Sequence, residues 1–342
     1  MELRIAPVVL GAAGGKDRPL ASTTNSGPPL VSVVIPTYDR PAYLRLALAS
    51  VLGQTYRHLE IIVHDNASRQ DPSPIVAEFA DPRVRLYRNA RTIGQTPNIL
   101  AAIAKATGKY VAILGDDDVW QPDFIAALAA PMEADPEIVV AFCDHDIIDS
   151  DGRLDAEKTE EVTRRFGRHA IGDGAHRPFD DIALLYRAIC VVSGTVIRAS
   201  AIDWSLVPPD LPSSSDIFIC YLLAASGGRC WYTSRRLMQY RYHPTQAMRR
   251  HGARPAYAQW TLELWLTFLR DARLKHRGYY RMVCTRWAII IVLDRLVRRD
   301  WKGARGKVGK FLAMGIFDPR VLIYHLLYTA RFQALGIKRL MP

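Results

Sequence analysis

The sequence predicts an α/β protein with a doubly wound, mostly parallel β-sheet covered by helices on both faces. Three observations carry this. Short β-branched runs alternate with segments of helical spacing from residue 30 to residue 147. The runs are mostly apolar, as strands buried on both faces are. Polar clusters follow several of them, and such sheets hold ligands outside the carboxyl ends of their strands.

Taken in order, residues 1–29 mix Gly, Pro, Ser, Thr and Asn without periodicity and read as a flexible arm ending in Gly27-Pro28-Pro29. Strands are expected at residues 30–36, 59–63, 84–87, 110–114 and 139–144. Helices are expected between them at 42–52, 73–80, 96–106 and 122–132. Residues 148–178 are polar and read as a long surface insertion over a site. Order resumes at 191–197, with a helix at 217–225 and two strands near 230–233 and 237–242. From Pro255 onward the spacing is helical only, with Trp260, Leu264, Phe268 and then Trp287, Ile290, Leu293, Val297 in register. The expected organisation is an arm at 1–29, a domain at 30–250 and a helical region at 251–342. The domain divides into two halves, 30–147 and 148–250.

The chain has 342 residues and a formal net charge of +11, unevenly distributed. Residues 263–342 carry 17 Lys+Arg against 5 Asp+Glu, whereas residues 1–262 carry 28 against 29. A near-neutral body thus bears a basic end, which suits an anionic partner. Five scattered cysteines exclude a disulfide scaffold and a CxxC zinc site, and suggest a reducing compartment. No uncharged apolar run is long enough to span a membrane, and the best candidates, 287–293 and 321–330, are too short. Residues 5–13 faintly resemble a signal core, but Glu2 and the absence of a basic start argue against one.

Four clusters could carry chemistry. Pro36-Thr37-Tyr38-Asp39-Arg40 follows the first strand, Asp65-Asn66-Ala67-Ser68 the second and Gly115-Asp116-Asp117-Asp118 the fourth. The last runs from Asp216 to Tyr240-Arg241-Tyr242-His243. Three adjacent carboxylates raise one another's pKa unless a cation neutralises them. Hard oxygen donors suit Mg²⁺ or Mn²⁺, whose remaining positions substrate phosphates fill. The plainer alternative is a solvated turn with Asp118 capping the next helix. Asp65 reads equally as a turn residue, Asp216 as an N-cap and His243 as a lone exposed histidine. Arg235, Arg236 and Arg241 read as phosphate forks or as surface charges.

The run VSVVIPTYDRPAYLRLALASVLGQTYRHLEIIVHDNAS, the later RTIGQTPNILAAIAKATGKYVAILGDDDVWQPDF and the stretch YRYHPTQ together resemble the family-two glycosyltransferases of GT-A fold, Rossmann-like in sheet order, over residues 30–250. The resemblance implies a bacterial, non-processive, inverting hexosyltransferase, with residues 30–147 as its nucleotide-binding half and residues 148–250 as its acceptor half. Its donor would be a UDP- or dTDP-sugar and its acceptor a glycan or lipid-linked glycan of the cell envelope. Pro36, Thr37, Tyr38 and Asp65 would line the nucleoside pocket. Asp39 stands where the family usually has Asn. Anchoring on Trp120-x-Pro122 makes Asp117 the metal-binding aspartate and turns Asp116 to the ribose. Gly115 occupies the place of the motif's usual first aspartate, and Asp118 is the alternative ligand. Asp216 would be the catalytic base, although Ser215 replaces the acidic partner common before it. His243 would complete the Mn²⁺ or Mg²⁺ site, with Arg241 near the diphosphate.

A sugar nucleotidyltransferase would need a Gly-rich basic loop after the first strand, which is absent. A processive synthase would need membrane spans and a Gln-x-x-Arg-Trp stretch. A non-catalytic sugar-nucleotide-binding protein on the same fold is the remaining alternative. Arg295, Arg298, Arg299, Lys302 and Arg305 form one helical stripe, with Gly303, Gly306 and Gly309 expected to end the helix near residue 303. Residues 281–342 are expected to meet an anionic membrane surface rather than nucleic acid. The expected location is the cytoplasm, peripherally at the inner membrane face.

Overall fold

The computed structural model describes residues 27–211, 215–243 and 255–316. Most of the expected N-terminal arm, the run at 321–330 and the end of YRYHPTQ lie outside the described residues. The chain divides after residue 250 into two compact units.

In the first unit the strands are β1 (Val31–Thr37), β2 (Leu59–Asp65), β3 (Val84–Arg88), β4 (Tyr110–Ile113), β5 (Val119–Trp120), β6 (Ile138–Ile148), β7 (Gly174–His176), β8 (Thr195–Arg198) and β9 (Arg229–Arg241). The helices are α1 (Pro41–Leu52), α2 (Ser73–Phe79), α3 (Gln95–Ile103), α4 (Phe124–Ala134), α5 (Ala156–Arg165), the single irregular turn α6 (Val191–Gly194) and α7 (Ser215–Ala225). The strands form one sheet in the order β3-β2-β1-β4-β8-β6-β9-β5, with β7 beside β9. The β1–β2, β1–β4, β2–β3 and β6–β9 pairs are parallel, and β8 runs antiparallel between β4 and β6. The carboxyl ends of β1, β2, β4, β6 and β9 therefore share one edge, as the apolar runs implied.

Sequence explains why the elements form there. Val31, Val33, Val34 and Ile35 are wholly buried, because both faces of β1 carry cover. Helix α1 starts on Pro41 and buries Leu44, Ala47, Leu48 and Val51, the stripe of a helix lying on a core. The fully buried Gln54 side chain donates to the Gln121 carbonyl at 2.7 Å and accepts from the Ile125 amide at 3.0 Å. It thereby ties the end of α1 to the loop before α4.

Three expectations need correction. The insertion is not a bare loop: residues 156–165 form α5, capped by Asp155, whose carboxylate accepts from the Lys158 amide. Its helical pattern is polar on one face and was masked by its charge content. The two strands expected at 230–242 are one, β9, which keeps its pairing with β6 through register shifts at Cys143/Asp144 and Asp144/His145. Helix α4 begins at Phe124, and Asp118 does not cap it.

The second unit holds α8 (Pro255–Arg270), α9 (Arg277–Val297) and α10 (Trp301–Ala313). Leu264 and Phe268 of α8 and Tyr280, Cys284 and Ala288 of α9 are wholly buried. The Trp287–Val297 stripe is not the buried one, and Val297 is 83% exposed. The basic stripe is also interrupted earlier than the glycines imply. The break falls at 298–300, where Arg299 has φ +58° and Asp300 caps α10 through the Gly303 amide. A β-carbon at Gly303 would overlap the Asp300 carboxylate, so this glycine admits the cap rather than ending a helix. Among the described residues no helix is long and apolar enough to cross a membrane.

Candidate active site at the carboxyl edge of the sheet

The Asp116–Asp118 triplet follows β4 and meets residues from the carboxyl ends of β1 and β9. Asp116 is buried, and its Oδ2 accepts from Thr37 Oγ1 at 2.8 Å and from the Tyr38 amide at 3.2 Å. Arg40 Nη1 donates to Asp116 Oδ1 at 2.9 Å and to Asp117 Oδ2 at 2.7 Å. Asp117 is the least buried of the three, and its Oδ2 lies 2.9 Å from His243 Nε2. Asp118 accepts from Ser193 Oγ at 2.6 Å and from the Arg241 amide at 2.9 Å. Burial and the Asp117 charge push the Asp116 carboxyl up to about 6, against the opposing pull of Arg40 and Thr37. The same two causes raise Asp118 well above the usual carboxylate range.

His243 is 3% exposed, so the sequence expectation of an exposed histidine is corrected. It reaches the site because β9 ends at Arg241, two residues earlier. Tyr43 of α1 packs against it with ring centroids 5.2 Å apart and lies 4.8 Å beneath the Arg241 guanidinium. Arg241 is itself buried. Its Nε donates to the Asp117 carbonyl at 2.8 Å and its Nη1 to the Asp149 carbonyl at 3.0 Å. It therefore clamps the triplet's backbone to the turn after β6.

Asp65, at the end of β2, is fully buried. Its oxygens take Arg88 Nε at 3.0 Å and the Ser68 amide at 3.1 Å. Pro36 is half-buried, whereas Tyr38 is 40% exposed beside Asp116. Asp39 has φ +54°, a backbone region that Asp and Asn share, which explains why one replaces the other there. Asp216 lies in the first turn of α7, and its Oδ1 is buried with no hydrogen-bond partner among the described residues. Burial raises its pKa, with Arg187 opposing. Burial and the charges of Asp118 and Asp216 raise the Cys190 thiol, so both carboxylates lie within electrostatic reach of that side chain. Arg235 and Arg236 are not gathered into the site, and pair instead with Asp123 and Glu160.

Ser193 is the residue that sequence reasoning missed. It has φ +78°, which non-glycine residues rarely adopt, and sits in the irregular turn α6. Its Oγ also accepts from the Gly115 amide at 2.9 Å, and its carbonyl accepts from Trp120 Nε1 at 2.5 Å. The Ser-Gly dipeptide at 193–194 was its only signal, and that marks a turn without marking a partner.

A separate cavity of about 440 Å³ lies between α5 and the β6–β9 face, lined by Asp144, Thr163, Arg168 and Tyr232 among others. Its floor is a buried ion pair, Arg168 Nε to Asp144 Oδ1 at 2.7 Å. Thr163 also donates to Asp144 at 2.8 Å.

Residues 32–191 match the family model described as glycosyl transferase family 2. An uncharacterized glycosyltransferase of Rickettsia prowazekii is 34% identical over 122 residues, covering 35% of this chain and 38% of its own length. The Escherichia coli protein WfgD is named as a UDP-Glc:alpha-D-GlcNAc-diphosphoundecaprenol beta-1,3-glucosyltransferase. It is 34% identical over 91 residues, covering 27% of this chain and 36% of its own length. The chain thus spans well under half the length of these curated relatives. Among solved structures, Staphylococcus aureus TarS 1–349 with UDP-GlcNAc superposes with a TM-score of 0.59 at 16% identity, over 75% of this chain and 71% of that one. The mannosyltransferase PcManGT of Pyrobaculum calidifontis, with GDP-Man and Mn²⁺, gives a TM-score of 0.55 at 18% identity, over 92% and 89%. Residues 32–191 thus match the glycosyl transferase family 2 model, and the sheet has the GT-A-like fold of these solved structures.

Proposed function

We propose that this protein is an inverting glycosyltransferase. It would move a hexosyl group from a UDP- or dTDP-sugar to a hydroxyl of a glycan or lipid-linked glycan. The observation that carries the reading is the pairing of Asp117 with the buried His243 at the carboxyl edge of a family-two sheet. A carboxylate oxygen and an imidazole nitrogen facing one another form a donor set for Mn²⁺ or Mg²⁺. Asp117 and His243 would hold the ion, while Asp118, with its oxygens engaged by Ser193 and Arg241, fixes the loop. The bound ion would neutralise the diphosphate leaving group.

The chain's own groups do the rest. Asp116, Thr37 and Tyr38 face the nucleoside side of the edge, with Pro36 and Asp65 behind them and Arg241 beneath. Asp216 takes the proton of the acceptor hydroxyl as its oxygen bonds to the anomeric carbon and the bond to the diphosphate breaks. A single base opposite the leaving group inverts the anomeric centre. A carboxylate of raised pKa whose buried Oδ1 has no hydrogen-bond partner among the described residues suits that task, and no acidic helper precedes it. Transfer or hydrolysis of UDP- and dTDP-sugars, with and without Mn²⁺, tests the reading. Wild type should turn over with metal and Asp216→Asn should not. Equal inactivity of both, with nucleotide bound to both, would leave the non-catalytic sugar-nucleotide-binding alternative.

The basic second unit supports placement on an anionic membrane face. Val297 and Trp301 are 83% and 68% exposed beside the exposed Arg298, Arg299, Lys302 and Arg305. Apolar side chains among cations suit the boundary between head groups and acyl chains. The WfgD name also describes a lipid-linked acceptor.

A further inference from the structure

Arg40 has no part in the chemistry just described, yet it occupies the centre of the carboxylate cluster. It stands at the N-cap of α1, immediately after β1, with its side chain 22% exposed. One nitrogen, Nη1, bridges Asp116 Oδ1 at 2.9 Å and Asp117 Oδ2 at 2.7 Å. Asp117 Oδ2 is also the oxygen that faces His243 Nε2 at 2.9 Å. A guanidinium therefore holds the atom that a cation shared by Asp117 and His243 would need. A divalent ion about 2.1 Å from that oxygen would stand against the Arg40 charge with little water between them. The two positive groups exclude each other.

Asp116 does not depend on Arg40 for its position, because Thr37 and the Tyr38 amide hold its other oxygen. Arg241 cannot substitute as counter-ion, because its Nε and Nη1 donate to the carbonyls of Asp117, Asp149 and Ser150. The Arg40 side chain is 22% exposed, and its planar fork matches a diphosphate.

We propose that Arg40 is a built-in counter-ion of the Asp116–Asp117 pair, which a divalent cation displaces and which then engages the donor's diphosphate, so that metal and nucleotide bind cooperatively. This rests on the metal reading of Asp117 and His243 given above. Arg40 is on this view a positioning residue that sets metal affinity before it touches substrate.

Mn²⁺ binding to the full chain, followed by the electron paramagnetic resonance of free aqueous Mn²⁺, tests it without turnover. Without nucleotide, Arg40→Gln should bind Mn²⁺ about tenfold tighter than wild type, a coupling of ordinary size. Measured against a protein-free Mn²⁺–nucleotide control, because the diphosphate itself binds the ion, UDP or GDP should tighten Mn²⁺ binding more in wild type than in the variant. Arg40→Lys keeps the charge but not the fork and should fall between them, and ligand-free thermal melts show whether each variant is folded. Arg40→Gln binding Mn²⁺ no tighter than wild type overturns the counter-ion role. Tightening by UDP and GDP as large in that variant as in wild type overturns the diphosphate role. If Arg40→Gln does not fold, Arg40→Met is judged by the same two criteria, and Arg40→Lys with wild-type nucleotide coupling overturns the role of the planar fork. Asp117→Asn separates the two readings: Mn²⁺ affinity equal to wild type there removes the metal site itself, and the role of Arg40 with it.

Discussion

A β-carbon added at Gly115 would stand 2.9 Å from Asp117 Oδ1, 3.2 Å from Ser193 Oγ and 3.3 Å from Asp118 Oδ2. The glycine in place of the family's usual first aspartate thus leaves room for the next two carboxylates to fold back. Gly115→Ala should displace Asp117, and turnover should fall about 100-fold with little change in melting temperature, since misplacement by about 1 Å costs that much. Ser193→Ala would leave the Gly115 amide without its acceptor and Asp118 Oδ2 without its hydroxyl donor. Urea denaturation should show a loss of about 1–3 kcal/mol. Asp216 must be ionised to accept a proton, and its pKa lies above the usual aspartate value because of burial. Activity should therefore fall as pH drops through a value above about 3.9, the ordinary aspartate pKa. A pH–rate profile whose acid limb persists in the residual activity of Asp216→Asn would assign that limb to another group. At this scale the aspartates and His243 were legible because their residue types announce chemistry. Ser193 was not, because a serine announces nothing until its partner, 75 residues away in sequence, is brought to it.

Among the elements, the insertion after β6 shows how far local pattern reaches. Its composition gave a surface segment, whereas the structure gives α5 followed by a turn that buries Arg168 at 2% exposure. Arg168 meets Asp144 of β6, a pairing 24 residues apart in sequence that no periodicity encodes. Breaking a buried pair strands the remaining charge, so Arg168→Met should cost about 3–5 kcal/mol by chemical denaturation. A loss below about 1 kcal/mol would mean that the insertion does not rest on this pair. The break between α9 and α10 teaches the same lesson from the other side. Three glycines suggested a stop near residue 303, but Asp300 nucleates a new helix through one of them. Helix ends are set by which groups satisfy the terminal amides, and propensity alone does not reveal that.

At the scale of the molecule, charge and fold separate cleanly. The acidic cluster lies in the first unit, and the basic excess in residues 263–342. Anionic liposomes should co-sediment the full chain, with binding falling as salt rises, and should not retain a chain ending at residue 250. Equal retention of both would take the basic region out of the interaction. The sequence by itself determined the α/β class, the alternation of strands and helices in the first half, the acidic motif and the two-part charge distribution. These follow from short-range periodicity and residue type, which a linear reading preserves. Only the tertiary structure decided that His243 is buried against Asp117, that Ser193 and Arg241 hold Asp118, and that Arg40 bridges the two carboxylates on which the proposed chemistry depends. Each joins residues 75 or more positions apart, brought together where parallel strands end on one edge, and that proximity exists only once the sheet has formed.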